Sequence, residues 1–443
     1  MFIISFPVYG VGTYVSASIS PSLGYFISIS PHIFIICFYC IDLLYKREFY
    51  LRLNPLYFWM LVFQLSCIAS LFIALGNNLP EASLRLTIGR SLLLIIPFHA
   101  FIAVALYNDR HKDQLPRLTL LSLSLLLAIN LLGYFVFGWT NAFHSIEGRL
   151  SLPFFDGFYS GANTLAIVNL ILLYYLSKSW RNTLLFASLA AYFVFNFVLF
   201  YLINSRLSML IFLLVLGLFF SRLAGTKVIY WLSLFTVPIL LSSGLLLYKI
   251  LQTPLFVSLV QRVDMEDVTT FHGRSYLWHD AIDWLLNDQR GLLFGNGYKG
   301  HYFLDLIPDV VKLWNAEDSH HLHLHSTSLE TLVCQGLVFY ILLCVLFWAI
   351  YSYYRKGYKT DTEEGGAFFT IVLFLLFIMQ VDTFVYLDSF GFVIFALLMS
   401  KTVIKDPVRL NMPVLSMAVR DPGYPDIGLA GSVHLKNDQP DKR

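Results

Sequence analysis

Apolar residues run along this chain in long windows, and its polar residues collect between those windows instead of interleaving with them. Windows of about 17–25 residues are long enough to cross about 30 Å of hydrocarbon as helices. Twelve can be marked, at 2–20, 24–44, 56–77, 89–107, 118–137, 162–178, 183–203, 207–222, 228–248, 328–353, 366–381 and 384–400. The pattern predicts an all-α, polytopic integral membrane protein with about 12 transmembrane helices. The N-terminal "MFIISFPVYG" has no basic stretch ahead of its apolar run and reads as a retained first span.

Two segments stand apart from the windows. After Val403 the chain is rich in Pro, Asp and Lys without sustained periodicity, which predicts a transmembrane domain over 1–401 and a disordered cytoplasmic tail over 402–443. The other is the long loop at 249–327. Within it, "GRSYLWHDAIDWLLND" sets Leu277, Trp278, Ala281, Ile282 and Leu285 at helical spacing, with His279, Asp280, Asp283 and Asn287 between them. That spacing predicts an amphipathic helix whose two tryptophans suit a membrane interface. A loop of this length with its own helix resembles a lid or an active-site wall.

Composition narrows the class of partner. Of 443 residues, 57% are apolar, 17% aromatic and 13% charged, and the net charge is +2. An average soluble domain carries about 25% charged residues. No basic run is dense enough for a nucleic-acid partner, so the expected partner lies in or near the bilayer. Charge also sets orientation. Lys46, Arg47, Arg52, Arg110, Lys112, Arg117, Lys178, Arg181, Arg222, Lys227, Arg355, Lys356 and Lys359 fall in one set of short loops, and only Arg85, Arg90, Arg149 and Arg206 in the other. Cytoplasmic loops keep the excess, which places both termini inside and 249–327 outside. The five cysteines all sit in apolar runs, and Cys37 and Cys40, though spaced as a redox or half-zinc pair, have no second pair to complete a site.

Candidate chemistry centres on "SHHLHLHSTSLETLVCQG" at 319–336. Thr327 and Glu330 have capping-box spacing ahead of an apolar run, so His325 falls just outside a helix N-terminus. The helix dipole there favours an anion and disfavours imidazolium, leaving a neutral imidazole able to act as a general base. Two other readings compete. The histidines could form a solvated turn, or alternation at His321, His323 and His325 could supply three metal ligands; no carboxylate or cysteine at recognisable spacing completes such a site, so no metal and no cofactor are expected. If His325 is the working base, His320, His321 and His323 read as bystanders.

Two arginines accompany the histidines. Arg206, in "INSRLSML", sits at a membrane boundary between two windows with almost no loop, where it either snorkels or serves a task. Arg274 begins the amphipathic helix. Guanidinium groups match phosphate oxygens bidentately, and two of them suit a diphosphate. "GNGYKG" at 295–300 lacks the strand and helix of a dinucleotide site and reads as a turn. Asp382 and Asp388, between the last two windows, could each orient an arginine or the histidine, or form a solvated turn.

"HSTSLETLVCQGLVF" resembles the pattern of His, then Asn, Ser or Gln, nine residues, and Gly-x-x-Gly that marks O-antigen ligases and the related O-antigen polymerases. His325, Ser326 and Gly336 match it, and Phe339 stands where the second glycine is expected. Ser205-Arg206 ahead of a window and Gly273-Arg274 with Trp278 in the large loop are similar to further features of that family; the resemblance covers roughly 180–400. It implies a GT-C-type membrane glycosyltransferase with one large periplasmic loop, working without metal and inverting the anomeric carbon. The implied donor is a glycan on undecaprenyl diphosphate, with His325 activating the acceptor hydroxyl and Arg206 and Arg274 holding the leaving diphosphate. Trp278 and Asp382 join them as substrate-binding candidates.

Within that family the acceptor separates two activities. A polymerase passes the chain to another lipid-linked unit, whereas a ligase passes it to phosphate-rich lipid A core; protein oligosaccharyltransferase is a third variant. The 249–327 loop is net acidic with histidine neutral, which leans toward polymerase, with a chain-length regulator as a further partner. A transporter also fits twelve windows, but predicts paired, interrupted helices in two symmetric halves, and the sequence has no such repeat.

Overall fold

The computed structural model describes residues 1–46, 53–80, 82–110, 115–141, 149–221, 223–236, 274–307, 311, 322–387 and 389–404. These fall within one compact unit, Met1–Lys405. In chain order the helices are α1 (Phe2–Ser18), α2 (Pro21–Lys46), α3 (Pro55–Gly76), α4 (Leu84–Arg110), α5 (Leu115–Phe135), α6 (Gly157–Ser179), α7 (Thr183–Ile203), α8 (Arg206–Phe220) and α9 (Lys227–Leu234), followed by α10 (Arg274–Asn287), α11 (Gln289–Phe294), α12 (Gly300–Phe303), α13 (Thr327–Gln335), α14 (Leu337–Lys359), α15 (Glu363–Val381) and α16 (Phe390–Thr402). The one β-type pairing among the described residues is an isolated bridge between Leu53 and Ile404.

Eight helices, α2 to α7 with α14 and α15, are long and apolar enough to cross a membrane; α1, α8 and α16 are apolar but shorter. The chain is therefore an all-α polytopic membrane protein. The window at 228–248 begins as α9 and passes into residues outside the described set, as does the tail from 405 onward.

The centre of the bundle is α15 with α16. Every residue of α15 from Gly365 to Val381 is buried, and so is every residue of α16. By contrast α7 buries only Asn196, Leu199, Phe200 and Ile203. Its remaining apolar surface, including Leu184, Val194 and Tyr201, is exposed. In water such a face would be unfavourable; against lipid tails it is not.

The two ends of the bundle differ in chemistry. At the Glu363 end, Arg117 holds Glu363 through paired bonds of 2.8 and 3.1 Å, Lys178 meets Asp361, and Lys401 meets Glu364 at 3.2 Å. These pairs bring the ends of α5, α6 and α16 together at the start of α15, so Arg117 and Lys178, two of the basic residues named above, share one face. The other end of α15, about 28 Å away at 1.5 Å per residue, carries Asp382, Arg274 and His325.

The window at 328–353 is two helices rather than one span. Gly336 breaks it at φ +87 and ψ 173, a conformation essentially restricted to glycine. A Cβ there would lie 2.5 Å from the Leu293 carbonyl. The turn at 295–300 fills the break. Gly295, at φ +73, approaches so closely that its Cβ would sit 2.3 Å from the Cys334 carbonyl oxygen. The Asn296 and Gly297 N–H groups donate to Val333 and Cys334 carbonyls, each at 2.9 Å, which satisfies the last turn of α13.

The amphipathic helix forms as α10, but its apolar face turns to protein. Arg274, Leu277, Trp278, Ala281 and Leu285 are its buried residues, and α10 packs on α13. Trp278 is 0% exposed, which overturns its reading as an interfacial anchor. Its indole N–H finds a buried carbonyl, so full burial costs little.

Candidate active site at the end of the central helix

His325 occupies the position before the N-cap of α13. The cap is Ser326, whose Oγ accepts the Leu329 N–H at 3.3 Å. The Thr327–Glu330 capping box is therefore not formed. Thr327 is already helical, and its N–H and Oγ1–H both donate to the Asp382 carbonyl, at 3.0 and 2.9 Å. Glu330 turns instead toward His301. His325 itself has φ +50, left-handed for a residue with a side chain.

Arg274 opens α10 and is 5% exposed. Its Nη1 donates to the Val381 carbonyl at 2.7 Å, and its guanidinium carbon lies 5.2 Å from the centre of the Tyr159 ring. Tyr159 also meets His325 edge to face, with ring centres 6.1 Å apart. One aromatic ring near the start of α6 thus touches both the cation and the imidazole. A buried cation is costly unless compensated, and here the Tyr159 face and the neighbouring Asp382 supply the compensation.

Asp382 follows the last residue of α15. One carboxylate oxygen accepts from Asn163 Nδ2 at 3.0 Å and the other from the Thr383 N–H at 2.8 Å. Burial pushes its pKa up, opposed by the Arg274 charge and these two hydrogen bonds. Asp382 stands behind Arg274 rather than in open solvent.

His323 lies against His325 with ring centres 4.0 Å apart. Burial pushes its imidazole down to about 4; the Glu330 charge opposes this, while His301, Arg274 and Lys299 add to it. It is neutral near pH 7, and its Nδ1 accepts the His325 N–H at 3.1 Å. The Thr383 hydroxyl is 3.4 Å from the same nitrogen.

Arg274, Trp278, His325 and Asp382 are brought to one place. Arg206 begins α8 at the same end of the bundle, is exposed, and makes no hydrogen bond, ion pair or ring contact with these four among the described residues. His320, His321 and Asp388 lie outside the described residues. Among the described residues no three His, Cys, Asp or Glu side chains are grouped to hold a metal ion.

Four contributors went unnoticed in the sequence: Tyr159, Asn163, Thr383 and His301. Asn163 had a readable signal, since Ser160, Asn163 and Thr164 are polar residues inside or beside an apolar window. Tyr159 and His301 had none, because an aromatic residue at a helix start and one histidine among several carry no spacing that marks them. Chemically, the assembled groups are an imidazole, the group type that most often serves as a general base, and a buried guanidinium, whose planar fork suits an anion. No model of a known protein family matches this chain, and no curated protein matches it in sequence.

Proposed function

We propose that the protein is a metal-independent, inverting membrane glycosyltransferase of twelve spans. It moves a glycan from undecaprenyl diphosphate to an acceptor sugar hydroxyl at the periplasmic face of the bacterial inner membrane. The observation that supports this reading is the shared contact of Tyr159 with Arg274 and His325, which sets a guanidinium and an imidazole against one ring. In the proposed step His325 takes the acceptor hydroxyl proton, the freed oxygen attacks the anomeric carbon, and the bond from that carbon to the diphosphate oxygen breaks. The charge left on the diphosphate goes to Arg274, with Arg206 meeting it from the mouth of α8. Guanidinium suits that role because its planar fork matches phosphate oxygens.

The net acidic 249–327 loop favours a glycan acceptor, as in O-antigen or exopolysaccharide polymerisation, over the phosphate-rich lipid A core that a ligase would engage. Purified protein in nanodiscs, supplied with a lipid-linked repeat unit alone, is expected to yield a ladder of longer lipid-linked chains. Product only when lipid A core is added would make it a ligase. No product with either acceptor, from protein that is folded and binds the donor, would overturn the transferase reading.

A further inference from the structure

The proposed reaction uses His325 and the arginines, and leaves unexplained a second polar cluster buried beside them. His301, on α12, and Glu330, on α13, approach at 3.3 Å between Nδ1 and Oε2, with side chains 0% and 3% exposed. Taking two ionisable groups out of water is costly, and the pair persists only where further hydrogen bonds satisfy it.

Those bonds go to one short stretch of backbone. His301 Nε2 lies 2.8 Å from the Leu322 carbonyl, which can only accept, so that nitrogen carries hydrogen. Glu330 Oε1 accepts the Leu324 N–H at 3.3 Å, and Oε2 faces the Cys334 thiol at 3.8 Å. From the other side, Trp278 Nε1 donates to the Leu324 carbonyl at 2.9 Å. Three buried side chains from three helices therefore grip the residues on either side of His323. His323 then accepts the His325 N–H. His325, at φ +50, is a left-handed residue with a side chain, a strained conformation that must be held by its surroundings.

We propose that His301 and Glu330 are positioning residues: by fixing the backbone of residues 322–324 they set His323 as a strut, and the strut holds His325 in its left-handed place against Tyr159. The consequence for turnover rests on reading His325 as the base. The placement itself does not, and it can be measured without any glycan.

The test is the rate of His325 carbethoxylation by diethyl pyrocarbonate at fixed pH, followed by peptide mass spectrometry on the full chain in nanodiscs. His279, with its side chain 80% exposed, serves as the reactive reference, and His32, 0% exposed, reports unfolding. Glu330→Ala removes the contacts to His301, to the Leu324 N–H and to the Cys334 thiol. It is expected to change the His325 to His279 labelling ratio several-fold while His32 stays protected. Glu330→Gln keeps an acceptor for the Leu324 N–H and a polar partner for His301, so it is expected to restore most of the wild-type ratio. His301→Gln keeps a donor for Leu322 but not the Glu330 contact and is expected to fall between, which keeps the test open if Glu330→Ala does not fold. A wild-type labelling ratio in folded Glu330→Ala or His301→Gln protein overturns the proposal, as does a change that appears only together with His32 labelling. Failure of glycosyl transfer in the wild type would sink the functional reading and leave the labelling result standing.

Discussion

Arg274 donates from Nη1 to the carbonyl of Val381 at 2.7 Å, joining the first residue of α10 to the last residue of α15. The bond aims a buried guanidinium across the end of the central helix, over Tyr159 and beside Asp382. Lysine would keep the charge but lose the planar fork. Hydrogen bonds to charged groups are worth about 1.5–3 kcal/mol, so Arg274→Lys is expected to weaken undecaprenyl-diphosphate binding by about 10- to 100-fold. Titration of the lipid against the variant in nanodiscs checks this, and wild-type affinity would remove Arg274 from the proposed anion site.

If His325 is the proposed base, His325→Ala separates proton transfer from binding. It is expected to lower turnover by about 10²- to 10⁴-fold, the usual worth of a general base, while donor affinity changes little. Activity of the wild type is expected to survive strong chelation. Chelator-sensitive turnover restored by a divalent ion would revive a metal reading of the histidines.

The break in the window at 328–353 shows what hydropathy cannot report. Its hydropathy stays high enough across Gln335 and Gly336 to read as one window, and only the backbone reveals a φ of +87 and a second glycine, Gly295, wedged against it. The capping box failed for a related reason. Ser326 and Thr327 are both competent caps, and which one serves depends on Thr327 being drawn to the Asp382 carbonyl, 55 residues away in sequence. The helical class and the position of His325 ahead of a helix were legible, because length, hydropathy and cap chemistry are local. Trp278 was visible as a residue but not in its setting, and the His301–Glu330 pair arises from contacts between distant segments that no local pattern encodes.

Gly336→Ala is expected to destabilise the fold by roughly 1–3 kcal/mol, the range for strained backbone, with added strain from the Leu293 carbonyl. Gly217→Ala in α8 is the control: nothing lies within 4 Å of its added Cβ, and alanine favours helix. Thermal unfolding in detergent should fall for the first and hold or rise for the second. Equal behaviour would mean that the glycine pair does not shape the break.

Orientation has a direct test. If the end bearing His325 faces the periplasm, a reporter fused near Asn296 is expected to be active only there, and one fused just after Lys359 only in the cytoplasm. The reversed pattern would place the candidate site on the cytoplasmic face, away from any periplasmic acceptor.

His323 ties stability to pH with a definite sign. Its folded-state imidazole is pushed down to about 4 from the ordinary 6.5. Above 6.5 the ring is neutral folded or unfolded and contributes no pH dependence. Between 6.5 and 4 the unfolded chain takes a proton that the folded ring refuses, so stability falls as pH drops through that window and levels off below it. Asp382 acts oppositely: its raised pKa lets the folded state hold a proton more tightly, which offsets part of the fall at the acidic end. His323→Asn separates the two contributions, because asparagine offers Oδ1 to the His325 N–H where histidine offered Nδ1, yet does not titrate. The difference in unfolding midpoint between wild type and His323→Asn is therefore expected to be flat above pH 6.5 and to change steadily below it, with the wild type losing ground. A difference that stays constant from pH 7 to pH 4 would mean that His323 titrates normally in the folded protein, and that its Nδ1 is not the acceptor that holds His325.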